Sequence, residues 1–165
     1  MALISDSVIN LLQYRIVQEE LSSRLYKSMA IWLNYNGYMG AAQLWSKYSD
    51  EELTHAQWAY NYLLELNIQP NVPALSNPQV TFKGLPNIIA LSYKHEVTIK
   101  AQCDELAKTA QSEGDYMTLE LAQRYLKEQV DELDKIQTWI DKLEAFGDDK
   151  TALRFLDNEM GELVK

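Results

Sequence analysis

Glu51-Glu52-Leu53-Thr54-His55 is the stretch on which the reading of this chain turns. On a helix, at about 100° per residue, Glu52 and His55 stand three positions apart, so a carboxylate oxygen and an imidazole nitrogen project from one face. Ordinary polar residues would leave that face wet. Here the same stripe carries Ala41, Leu44, Trp45 and Tyr48 before the pair and Ala59, Tyr62, Leu63 and Leu66 after it, the 3.6-residue period of a core-facing helix. A carboxylate in the middle of a core face is costly unless something neutralises it. The sequence therefore predicts a compensating group at this depth of the fold.

Outward from that stretch, the chain reads as helices. The first is expected over residues 6–35, with Asp6 or Ser7 as N-cap and Asn36-Gly37 as the stop. Its stripe of Leu12, Ile16, Ser23, Tyr26 and Ala30 contains Glu19, a second carboxylate on an apolar face. Val17, Leu21, Leu25 and Ile31 continue the apolar surface around the other side, which predicts a subunit contact. The second helix runs over about 40–66. Pro70, Pro73, Pro78 and Pro86 then interrupt the pattern. So long a connection suits a crossover along the whole length of a helix pair, which would leave helices two and three parallel.

The third helix is expected over 86–112, with Pro86 in its first turn, and the fourth over 116–146. Glu96 lies at the centre of a stripe of Ile89, Tyr93, Ile99, Cys103 and Ala107, and Glu132 at the centre of one with Leu121, Tyr125, Ile136, Trp139 and Leu143. A short helix over 149–163 carries Leu153, Phe155, Leu156, Met160 and Leu163, too apolar for a free segment and expected to pack on another subunit, with Gly161 fraying its end. The predicted fold is all-α: a single domain over 1–165, a four-helix bundle with a long crossover between helices 2 and 3 and a short fifth helix.

Composition excludes several classes. With 165 residues, 47% of them hydrophobic, the chain can bury a core and is not disordered. Cys103 is the only cysteine, which rules out a disulfide framework or thiolate zinc cluster and suits a reducing, cytoplasmic compartment. The opening residues Met1 to Asp6 lack a basic segment followed by an apolar run, and no stretch is long and apolar enough to span a bilayer. A formal charge of −9 argues against a nucleic-acid partner and favours cations.

Each long helix thus places a carboxylate at the middle of its core face: Glu19, Glu52, Glu96 and Glu132, with His55 and Gln129 one turn away. Carboxylates meeting in a core repel one another, and two divalent cations would reverse the sign of the problem. Oxygen-rich, nitrogen-poor donors suit iron or manganese, with zinc able to substitute. Tyr26 and Tyr125 read as core aromatics with hydroxyls bonded to the cluster, His95 as a surface histidine, and Glu51, Glu128 and Asp131 as charges at the edge.

The segments Glu19-Glu20-Leu21-Ser22-Ser23-Arg24-Leu25-Tyr26, Glu51-Glu52-Leu53-Thr54-His55, Tyr93-Lys94-His95-Glu96 and Glu128-Gln129-Val130-Asp131-Glu132 together resemble the ferritins, specifically the haem-free bacterial ferritins. The resemblance covers essentially the whole chain. It implies a ferroxidase centre with Glu19, Glu52 and His55 around one iron and Glu52, Glu96 and Glu132 around the other, Glu52 bridging. Gln129 would stand beside the second iron and Tyr26 next to the centre. A third iron position is implied at Glu51, Glu128, Asp131 and Glu132. The resemblance further implies oxidation of Fe(II) by dioxygen or hydrogen peroxide, mineral storage and a homo-oligomeric shell of 24 subunits. Bacterioferritins carry a second E-x-x-H on the fourth helix and a haem-ligating Met, where this chain has Gln129 to Glu132 and Leu53, so no haem is expected. Two alternatives remain: a non-enzymatic structural or interaction bundle whose polar core sets helix register, and a di-iron oxygenase acting on an organic substrate.

Overall fold

The structure is a computed structural model that describes residues 3–165; the expectations placed on Met1 and Ala2 lie outside them. Five helices follow one another: α1 (Asp6–Tyr35), α2 (Met39–Glu65), α3 (Leu85–Ser112), α4 (Tyr116–Phe146) and α5 (Lys150–Glu162). The cap of α1 falls one residue earlier than expected, on Ser5, whose hydroxyl accepts from the Val8 amide at 3.2 Å. That bond satisfies one of the first-turn donors that Asp6 and Ser7, already helical, could not serve. Gly37, at φ 88°, makes the tight turn into α2.

Cross-helix bonds give the directions. Glu20 pairs with Tyr60 and Ser23 with Ser49, so α1 and α2 are antiparallel. Along α3 the partners of Arg15, Ser22 and Met29 are Gln102, His95 and Ser92, again a descending order. Helices α2 and α3 are therefore parallel, and residues 66–84 must return the chain to its starting end. They do so along the outside of α1. Gln13 exchanges two bonds with the Asn71 backbone, at 2.8 and 2.9 Å, and Ser28 donates to Gln79 O at 2.6 Å. Phe82 then buries itself edge-on against Trp32, ring centroids 6.1 Å apart. Part of the excess apolar circumference of α1 is thus covered by the chain's own crossover, while Ile31 stays 63% exposed.

Two apolar plugs fill the bundle. Trp45, Leu33, Met29, Ile88, Ile89 and Trp139 pack near one end, and Val8, Leu12, Ile16, Leu63, Leu106 and Ala122 near the other. Between them lies a polar layer contributed by all four long helices.

Helix α5 corrects the expectation of packing only between subunits. Leu153, Leu156 and Met160 are buried on this same chain, against α2 and its neighbours. Gly161 is a packing residue and not a fraying point. A Cβ on Gly40 would stand 1.9 Å from the Asp157 carbonyl oxygen, and one on Gly161 3.1 Å from Gly40 Cα. Only glycine allows that approach, and the Asp157 side chain secures it by accepting from the Ala41 amide at 2.8 Å. Phe155 and Leu163 remain exposed. Among the described residues no helix is long and apolar enough to cross a membrane.

Candidate metal centre

Glu19, Glu52, His55, Glu96, Gln129 and Glu132 are all buried, each at most 4% exposed. The structure brings them together at one level of the bundle. Ligand atoms of Glu19, Glu52 and His55 lie within 4.8 Å of one another, and so do those of Glu52, Glu96 and Glu132. The two groups share Glu52, at the middle of α2.

The supporting bonds aim these side chains inward. Tyr26 donates its hydroxyl proton to Glu96 Oε1, and Gln129 Nε2 donates to Glu96 Oε2 at 2.9 Å. Tyr125 takes a different role from the expected one: its hydroxyl donates to the His55 backbone carbonyl at 2.5 Å and fixes the α2 main chain. His55 Nδ1 faces Glu52 at 3.5 Å and Glu19 at 3.8 Å, while Nε2 faces Glu128 at 3.4 Å. Carboxylates therefore meet both ring nitrogens.

Crowding of buried acids shows in their acidities. Burial pushes the Glu52 carboxyl well up, and the charge of Glu19 adds to it. Glu96 rises for the same first reason, although the bonds from Tyr26 and Gln129 hold it back. Glu132 is pushed up to about 8 by burial, opposed by Lys135 and reinforced by Glu96. Glu19 Oε2, also buried, has no hydrogen-bond partner. A carboxylate oxygen left unpaired beside an imidazole and a second carboxylate is a donor suited to a cation, so the residues present fit a divalent metal ion.

Two protein cations are also present, and the stripe-by-stripe reading missed both. Arg15, 1% exposed, donates from Nε to Glu19 Oε1 at 2.9 Å and from Nη1 to Gln102 at 3.0 Å. Burial opposes its charge most, but Glu19, together with Cys103 and Tyr125, more than restores it. Lys135 Nζ reaches Glu132 Oε1 at 3.1 Å and Glu51 Oε2 at 3.3 Å. A signal existed for each: Arg15 is four residues before Glu19, and Lys135 three after Glu132.

Residues expected at a third metal position are only partly assembled. Glu128 and Glu132 join His55 in a third group of close ligand atoms, but Glu51 and Asp131 are in none of the three, and Asp131 is exposed. His95 is not a surface residue. It is half-buried under α1, its Nε2 2.7 Å from the Ser22 hydroxyl and its ring edge-on to Tyr26, with a pKa lowered by burial.

Comparison with known proteins points one way. The profile of the ferritin-like domain matches residues 9–146. The bacterial non-heme ferritin of Escherichia coli is 31% identical over 161 residues, 98% of each chain, and that of Staphylococcus aureus 26% identical over 159 residues, 96% of each. Among solved structures, an open pore ferritin from the archaeon Archaeoglobus fulgidus superposes with a TM-score of 0.93 at 31% identity, covering 98% of both chains.

Proposed function

This chain belongs to the ferritin family, and from that premise we propose that it is an iron-storage ferroxidase. The observation that carries the reading is the pair of buried ligand groups joined at Glu52. Fe(II) is the substrate. Glu19, Glu52 and His55 hold one ion and Glu52, Glu96 and Glu132 the other, with Glu52 between them. Two ions so close together can each give up one electron to the same oxidant, dioxygen or hydrogen peroxide. Dioxygen then leaves as hydrogen peroxide after taking two electrons and two protons, or hydrogen peroxide as two waters. The Fe(III) moves inward and hydrolyses to a hydrated ferric oxide inside a shell of 24 copies, in the cytoplasm.

The remaining residues position the ligands. Tyr26 and Gln129 fix both oxygens of Glu96, and Tyr125 anchors the α2 backbone at His55. Arg15 occupies one oxygen of Glu19 and leaves the other free. Zinc or manganese fits the same donors. Among the described residues, surface cavities lie between α4 and α5, against α1 and α2 near the C-terminus, and between α1 and α3, away from the candidate ligands.

Anaerobic titration with Fe(II), followed by oxygen, tests the proposal. A fast oxidation phase saturating near two irons per subunit is expected, and its survival in the Glu52→Ala, His55→Ala double variant would overturn the assignment. A bundle with a purely structural polar core would show no rise in its thermal midpoint on adding Zn(II), whereas binding to the folded state must raise it.

A further inference from the structure

We infer that Lys135 is a tethered cation that limits the centre to two divalent ions, its ammonium holding the position between Glu51 and Glu132 that a third ion would take. The inference rests on the two-ion reading above and adds to it what sets the number.

Lys135 Nζ lies 3.1 Å from Glu132 Oε1 and 3.3 Å from Glu51 Oε2, bridging a carboxylate on α4 to one on α2. Its side chain is 39% exposed, that of Glu132 only 3% and that of Glu51 28%, so the ammonium closes the open rim of an otherwise buried cluster. A metal ion bound to the same two oxygens, with bonds of about 2.0–2.2 Å, would stand within a few ångströms of Nζ. Two cations so close, in a half-buried setting, repel strongly. An incoming ion must therefore drive the ammonium off both carboxylates, and its tether keeps it at hand to return.

Glu19, Glu51, Glu52, Glu96, Glu128 and Glu132 form the cluster with His55, and Arg15 and Lys135 are the cations paired with its carboxylates. Those two cations offset two of the six carboxylates and leave four negative charges, which two divalent ions neutralise. With Lys135 in place a third divalent ion would add two uncompensated positive charges, whereas without the lysine two divalent ions leave one negative charge unmatched. With Lys135 neutral, the rim carboxylates Glu51, Glu128 and Glu132 would again lack a counter-ion.

Anomalous scattering from crystals soaked in Zn(II), with calorimetric titration of the same protein, provides the test. The native protein should show two ions per centre, both on the groups that share Glu52. Lys135→Met, or Lys135→Gln should the first variant fail to assemble, should show a third ion at Glu51, Glu128 and Glu132. Lys135→Arg should stay at two. Three ions in the native protein, with the lysine displaced, would overturn the inference, and so would two ions in both neutral variants. Absence of zinc from the groups sharing Glu52 would instead overturn the two-ion reading, and the inference with it.

Discussion

The two ends of the carboxylate layer solve one problem by different means. At the first, Glu19 meets Arg15 with both side chains at most 2% exposed; at the second, Glu132 meets Lys135, whose side chain is 39% exposed. The Arg15–Glu19 pair is in low dielectric and cannot be replaced by water. The Lys135–Glu132 pair is screened and open to exchange. Equal formal charge compensation therefore carries unequal energetic weight, and the buried end is where the metal-free protein is most vulnerable.

Removing Arg15 should break the comparison most visibly. Arg15→Met leaves Glu19 buried with no donor, and the metal-free protein should lose about 3–5 kcal/mol in denaturant unfolding. Added Zn(II) should recover much of that loss by supplying another cation. A loss below about 1 kcal/mol would mean that water reaches Glu19 after all.

Acidity sharpens the same contrast. The folded-state pKa values of Glu52, Glu96 and Glu132 are raised, that of Glu132 to about 8. Below the unfolded carboxyl pKa, near 4.5, both states are protonated and these groups cost nothing. As pH rises from there towards 8, the unfolded chain ionises while Glu132 in the folded chain keeps its proton, and the raised Glu52 and Glu96 act in the same direction, so stability must fall. Unfolding of the metal-free protein between pH 5 and 8 should show this decline. The metal-loaded protein should not, because cations stabilise the ionised carboxylates, and loading should release protons measurable in weakly buffered solution. A flat profile for the metal-free protein would show that the acids are not crowded.

The smallest effect belongs to the rim. Lys135→Met should cost about 1 kcal/mol or less in the metal-free protein, since solvent screens the half-exposed pair. A cost matching that of Arg15→Met would erase the distinction between the two ends.

Much of the fold was legible because helical periodicity is local. The expected helices over 6–35, 86–112 and 116–146 agree with those observed to within one residue, since a Pro, a Gly or an Asn marks nearly every boundary. The carboxylate of each long helix could be placed on its core face for the same reason. The stripes leave out Arg15 although it stands beside Leu12 and Ile16, because a stripe does not distinguish a residue aimed along the axis from one reaching the rim. His95 reads as a surface histidine because it lies about 100° from Glu96, but α1 covers that face. The docking of α5 depends on a backbone approach between Gly40 and Gly161, 121 positions apart, which no local pattern encodes.

By itself, the sequence determined the helices, the crossover and the four acidic residues at their centres, because hydrophobic period and chain breakers act over a few residues. Only the tertiary structure decided which oxygens meet, that Glu52 belongs to both ligand groups, and that Arg15 and Lys135 stand at opposite ends as counter-ions. Those relations depend on the rotation and depth of each helix against its neighbours, which packing of the whole core sets, and electrostatic energy changes steeply over the few ångströms involved.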